Sequence, residues 1–283
     1  MRPRHLSCLG PHGFHQVSYT EWGDPGETNV VVCVHGLTRT GRDFDYLAQA
    51  LSQQHRILCP DVVGRGRSDW LTNKEDYGYP LYLSDMTALI ARSGAEQVDW
   101  VGTSMGGLIG MMLAAQPRSP IRRLVVNDVG PLVPRESLER LAQYVGKAPA
   151  FADVDAFERY LRQVAAPFGP LTDQQWRHLA LHSSRRHDDG TLTVAYDPGI
   201  AHAFAGELKD VVLWAVWDAI SCPTLVLRGR QSDLLLSPTA QEMTRRGPRA
   251  RLVEFDGVGH APMLMADEQI TVVSEFLSAP DKP

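Results

Sequence analysis

Six short runs of aliphatic and β-branched residues punctuate the chain: Asn29–Gly36 (NVVVCVHG), His55–Asp61 (HRILCPD), Gln97–Ser104 (QVDWVGTS), Arg122–Gly130 (RRLVVNDVG), Cys222–Arg230 (CPTLVLRGR) and Ala250–His260 (ARLVEFDGVGH). Runs so short and so continuously apolar suit strands covered on both faces, as in a parallel sheet. Helical patterns separate them. DFDYLAQALSQQ and YLSDMTALIARSG carry apolar residues at helical spacing, and the second ends on a Gly94 cap. GLIGMMLAAQP stops at Pro117. Alternation of this kind predicts an α/β sheet with right-handed crossovers. The stretch from Gly13 to Trp22 reads as an additional edge strand.

The rhythm breaks after Gly130 and resumes at Cys222. Between them lie four helical patterns: PRESLERLAQYVGK, DVDAFERYLRQVA, TDQQWRHLALHSSRR and LKDVVLWAVWDAI. The expected organisation is a core domain of residues 1–130 and 221–283, with residues 131–220 inserted as a helical cap. A chain of 283 residues accommodates such an insertion.

A net charge of −5 argues against nucleic acid as a partner, because that binding depends on clustered cations neutralising phosphates. No segment is apolar for long enough to span a bilayer. The N-terminus lacks the apolar stretch of a secretory signal before Gly10 and Pro11. The four cysteines, Cys8, Cys33, Cys59 and Cys222, form no C-x-x-C and read as free thiols of a reducing, cytoplasmic compartment. Neither clustered Cys and His at ligand spacing nor H-E-x-x-H is present, so no metal site is expected.

One serine stands in a place that matters for chemistry. Gly102-Thr103-Ser104-Met105-Gly106 joins a strand pattern to a helix pattern. A sharp turn there crowds the backbone, so small residues must flank its apex. The apex side chain is then pushed beyond the sheet, at a helix N-terminus that favours negative charge. The alternative is a tight turn with an incidental serine, and the position favours the nucleophile.

Serine needs a base to take its proton. Of ten histidines, His260 stands out, in the Gly-rich DGVGHAPM loop. The base needs an orienting carboxylate, and three acids end strands. Asp233, in RGRQSD, is favoured because ligand-facing residues gather past strand ends. Asp128, in LVVNDVG, competes, but its place at the exit toward the cap suits tying down backbone N–H groups. Asp61 reads as the anchor of the Gly-rich turn after it. The backbone N–H groups of Leu37 and Met105 are the expected oxyanion donors. His35 is read as shaping the loop that presents Leu37.

These residues resemble the α/β-hydrolase fold family across nearly the whole chain: HGLTRTGRDF, DVVGRGRSD, GTSMGG, LVLRGRQSDLL and GVGHAP occur in family order. The resemblance implies a mostly parallel eight-stranded sheet, a cap inserted after strand six, a triad of Ser104, Asp233 and His260, and no cofactor. His-Gly-Leu in place of His-Gly-Gly-Gly argues against esters of bulky tertiary alcohols. Serine in place of aspartate argues against haloalkane dehalogenases and epoxide hydrolases.

The resulting expectation is a serine carboxylesterase acting through an acyl-enzyme on small to medium esters. By analogy, oligomers of hydroxyacids such as 3-hydroxybutyrate are included. Arg39, Phe168, His202 and Phe204 are the expected substrate contacts. Two alternatives remain at this stage. One is carbon–carbon bond hydrolysis of a ring-cleavage product, for which Arg39 would hold a carboxylate. The other is a ligand sensor with slow turnover.

Overall fold

The computed structural model describes residues 1–280. The chain opens with β1 (Arg2–Gly10), β2 (Gly13–Trp22) and β3 (Val30–Val34), followed by α1 (Asp45–Leu51) and β4 (Arg56–Pro60). Next come α2 (Tyr79–Ser93), β5 (Val98–Thr103), α3 (Met105–Ala114) and β6 (Ile121–Asn127). After the intervening segment, β11 (Thr224–Gly229), α8 (Ser237–Met243), β12 (Arg251–Phe255) and α9 (Asp267–Leu277) complete the core. The eight strands lie in the order β1-β2-β4-β3-β5-β6-β11-β12. From β4 to β12 all neighbours are parallel, while β2 runs antiparallel to both β4 and β1.

The continuous apolar runs have a physical reason. Side chains alternate across a strand, and here both faces are buried. Val30, Val32 and Val34 of β3 enter one core with Met86 and Leu89 of α2 and Ile109 and Met111 of α3. Val31 and Cys33 enter the opposite core with Leu47 and Leu51 of α1 and Val273 and Leu277 of α9. Gly94 caps α2 with φ 74°, the left-handed turn expected of that glycine. Gly13–Trp22 forms a strand as expected, but β1 lies outside it and is the true edge. The alternation along β1 is too polar and too exposed to announce a strand.

Residues 131–220 contribute nothing to the eight-stranded sheet. They hold α4 (Arg135–Ala142), α5 (Val154–Val164), α6 (Asp173–Ser183) and α7 (Trp214–Ala219). Asp153 caps α5 by accepting from the Ala156 N–H at 2.8 Å, and Thr172 and Gln175 form a capping box on α6. Two small ribbons accompany the helices: β7 (Leu132–Val133) with β10 (Val211–Val212), and β8 (Ser184–Arg186) with β9 (Leu192–Val194). The last sequence pattern, Leu208–Ile220, is therefore a strand followed by a short helix rather than one helix. Its consecutive β-branched pair Val211-Val212 favours pairing with β7.

Candidate active site

The turn between β5 and α3 is built by close approach. A Cβ on Gly106 would lie 2.0 Å from the Val34 carbonyl oxygen, and one on Gly102 would lie 2.2 Å from the Gly106 carbonyl oxygen. Only glycine admits this packing, and it forces Ser104 to φ 52°, ψ −115°. The Ser104 side chain is thereby presented above the ends of β5 and β6. Its Oγ–H donates to His260 Nε2 at 3.0 Å. His260 Nδ1–H in turn donates to Asp128 Oδ2 at 2.7 Å.

This differs from the sequence expectation for the acid. Asp233 does not reach His260. Its carboxylate is 58% exposed and turned toward α4, where it pairs with Arg140, the guanidinium donating to Oδ1 at 2.9 Å. The cause is the path of the histidine loop. Residues 258–260 run back over the end of β11, so closely that a Cβ on Gly229 would strike the Val258 and Gly259 carbonyls. The imidazole therefore arrives above β6, where Asp128 stands at φ 55°. Nor does Asp128 tie down the exit turn. It is fully buried and accepts from Gly229 N–H at 2.8 Å, from the Ser232 hydroxyl and from His260. The polar loop of RGRQSD contributes Ser232 to the acid rather than the acid itself.

Several supports went unread in the sequence. Asn127 Nδ2–H donates to the Pro262 carbonyl at 2.7 Å and to Thr103 Oγ1 at 3.0 Å, fastening the histidine loop to the strand ends. Arg65 is fully buried, its guanidinium flanked by the Tyr77 and Tyr82 rings. Its Nε–H donates to the Leu37 carbonyl at 2.8 Å and its terminal N–H groups to the Val63 carbonyl and the Tyr82 hydroxyl. Arg65 thus clamps the Leu37 loop from behind. Its signal in GRGRSD is indistinguishable from that of Arg67, which is the solvent-side residue of the same turn. Asp61 accepts from the N–H groups of Gly41 and Arg67, and burial pushes its carboxyl up to about 6. It anchors that turn, as expected.

His35 shapes the Leu37 loop. Val62 N–H donates to its Nε2 at 2.9 Å, and its Nδ1–H donates to the Gly36 carbonyl at 2.7 Å. Complete burial drives its pKa down to about 3, so it is neutral in this tautomer. Gly36, the residue before Leu37, sits beside Ser104: a Cβ there would touch the Ser104 Cβ at 3.6 Å. Met105 is the first residue of α3, so its N–H has no intrahelical carbonyl to reach.

Ser104 and Leu37 face two cavities. The first, about 750 Å³, also contains His260, Arg39, Arg140, Lys147 and Phe168. The second, about 290 Å³, is lined by Met105, Leu108, Tyr79, Ile200, Phe204 and Leu213 among others, with no charged side chain. Phe168 thus lines the first of the two cavities at the serine and Phe204 the second. Arg39 lines the first cavity, with both oxygens of Asp43 held at 2.8 and 2.7 Å and its guanidinium over the Phe168 ring. His202, expected as a substrate contact, is exposed and lines neither cavity. It lies in a 3₁₀ segment, Pro198–Phe204, of which the Ile200 and Phe204 side chains turn inward.

Elsewhere, two groups bring ligand-type atoms within 4.8 Å of one another: Cys8, His15 and Asp85, and Asp45, His178 and His182. In the first, Asp85 pairs with His15 of the same group; in the second, Asp45 pairs with Arg42 beside it. No helix among the described residues is long and apolar enough to cross a membrane.

Comparison with known proteins places these observations. The model of the alpha/beta hydrolase family matches residues 31–271. The chain is 45% identical over 282 residues to a 3-hydroxybutyrate-oligomer hydrolase of Cupriavidus necator, covering 96% of each protein. It is 30% identical to the esterase Rv0045c of Mycobacterium tuberculosis, over 87% of this chain and 80% of that one. Among solved structures, an alpha/beta hydrolase from Novosphingobium aromaticivorans superposes with a TM-score of 0.87 at 36% identity, covering 98% of this chain and 97% of that one. The chain belongs to the alpha/beta hydrolase family and is a hydrolase.

Proposed function

We propose that the protein is a serine hydrolase that cleaves oligomers of 3-hydroxybutyrate at their ester bonds. The observation that carries the chemistry is the unbroken hydrogen-bonded series Ser104–His260–Asp128, ending on a carboxylate with no exposed surface. The substrate follows from the Cupriavidus relative, which matches this chain nearly end to end.

In this reading Ser104 Oγ bonds to the acyl carbon as its proton passes to His260 Nε2. Asp128 fixes the Nδ1–H tautomer and stabilises the imidazolium. The N–H groups of Leu37 and Met105 hold the oxyanion, each such donor being worth about 3–4 kcal/mol. Collapse breaks the C–O bond, and the departing alkoxide takes the proton from Nε2. Water then repeats the sequence on the acyl-enzyme, His260 taking its proton and returning it to Ser104. Residues 131–220 act as a cap that roofs both cavities. The four free cysteines fit a reducing, cytoplasmic setting.

Carbon–carbon bond hydrolysis draws less support, because Arg39, its expected carboxylate ligand, is already held by Asp43 at both oxygens. The test is multiple-turnover hydrolysis of the 3-hydroxybutyrate trimer beside p-nitrophenyl esters and a ring-cleavage dienoate. Ser104→Ala should lower kcat by about 10⁶ on every ester cleaved. Turnover of the dienoate with none of the trimer, or a Ser104→Ala enzyme with a tenth of the parent kcat, would overturn the reading.

A further inference from the structure

Two cavities meet at Ser104, and their chemistry is unequal. His260 lines only the first. In ester cleavage the imidazole must hand its proton to the departing alkoxide, so the alcohol half of the substrate has to lie on the histidine side. The acyl half is left for the second cavity, whose uncharged lining suits a short chain. In a 3-hydroxybutyrate oligomer, every ester oxygen belongs to a unit whose other end points toward the free carboxylate. When the terminal bond is cut, the alcohol half is one hydroxyacid bearing that carboxylate.

The first cavity contains the cations to meet it. Arg39, Arg140 and Lys147 line it together with two acids, Asp43 and Asp233. Each acid is taken by an arginine, Asp43 by Arg39 and Asp233 by Arg140. Lys147, on the turn after α4, has no carboxylate partner among the described residues. One uncompensated positive charge, on an exposed side chain, therefore lines the cavity where the alcohol half must sit, and none lines the second cavity.

We propose that the first cavity is a carboxylate-binding leaving-group site, with Lys147 as its anion-binding residue, so that oligomers are shortened from the acid end by one unit at a time. The inference rests on the oligomer-hydrolase reading, but it also applies to any ester whose alcohol half carries a carboxylate. Lys147 acts as a specificity-determining residue here. It need not touch the reacting atoms.

The experiment compares kcat/KM for 3-(butyryloxy)butyrate and for its methyl ester, and follows a 3-hydroxybutyrate trimer ¹³C-labelled in the acid-terminal unit. The parent enzyme should favour the free acid, and Lys147→Met should cut that ratio by about five- to tenfold, the effect of a partly screened charged hydrogen bond. Lys147→Arg should restore it. Added salt should shrink the ratio for the parent and not for Lys147→Met. The first labelled product from the trimer should be the monomer. A ratio near one in the parent, a ratio unmoved by Lys147→Met, or label appearing first in the dimer overturns the proposal. If the trimer is not cleaved but the simple pair shows the Lys147-dependent ratio, the oligomer reading falls and the carboxylate site stands.

Discussion

Asp128→Asn tests the site more sharply than removal of the serine, because it changes one proton and almost no volume. The carboxylate divides its work between two oxygens. Oδ1 accepts from Gly229 N–H at 2.8 Å, and Oδ2 accepts from His260 Nδ1–H and the Ser232 hydroxyl. Asparagine has only one acceptor oxygen. Turned toward His260, it would leave its amide facing the Gly229 N–H in a fully buried place, a cost of about 1–3 kcal/mol. Turned toward Gly229, it presents N–H donors to His260, which must then offer the Nδ1 lone pair and carry its proton on Nε2. The imidazole cannot accept the Ser104 proton in that form. The second orientation is the cheaper one, so the substitution selects the inactive tautomer. A comparable change in a well-studied triad costs about 10⁴ in kcat, equal to about 5 kcal/mol of transition-state stabilisation. Steady-state kcat on p-nitrophenyl butyrate should fall by at least a thousandfold for Asp128→Asn, with the melting temperature lowered by only a few degrees. Asp233→Asn, at an exposed ion pair, should lose less than tenfold. If Asp233→Asn is the nearly inactive enzyme and Asp128→Asn retains a tenth of the parent kcat, the assignment drawn from the hydrogen bonds is wrong.

The two acids also show what a one-dimensional reading could reach. Both end strands, and the sheet order β5-β6-β11-β12 is consistent with either one meeting a histidine that follows β12. Local pattern favoured Asp233, whereas the choice depends on the path of the histidine loop over Gly229, a contact between residues thirty positions apart. Strand identities were legible because burial on both faces writes itself into sequence as unbroken apolar runs. The serine and histidine were legible because glycines must surround them. Arg65 was not, since a buried guanidinium satisfied by carbonyls and two tyrosine rings leaves no pattern distinct from a surface arginine. The ribbons of residues 131–220 were hidden for a related reason: two- and three-residue strands are too short to show a period.

Arg65→Met keeps the stem but strands the Leu37 and Val63 carbonyls, so kcat should fall at least tenfold with little change in KM, and Arg65→Lys should not restore it, lacking the fork; a rise in KM at constant kcat would refute the role in holding the Leu37 loop. Phe204→Ala should raise activity on longer p-nitrophenyl acyl esters relative to acetate, each added methylene responding by about 1–3 kcal/mol, and an unchanged length profile would show that the second cavity is not the acyl site. The last expectation concerns acid. His35 and His182 are both held neutral by burial, with pKa values driven down to about 3, and Arg42 and His178 add to the effect at His182. A histidine lowered in the folded state stabilises the protein above its unfolded pKa of about 6.5, and that stability drains away as pH falls toward 3, by at most about 1.4 kcal/mol per pH unit for each group. Asp61 opposes it: raised to about 6, it contributes stability below about 3.9 that is lost as pH rises through 6. The parent curve mixes these contributions, so the informative quantity is a difference between two enzymes. His35→Gln should melt lower at pH 7, since its hydrogen bonds to Val62 and Gly36 are disturbed. Between pH 6 and 4 its melting temperature should nevertheless fall less steeply than the parent's, by about 2 °C per pH unit for a chain of this size. Parallel curves for the two proteins would mean that His35 already takes up its proton in the folded state near pH 6.5, against the burial that the fold imposes on it.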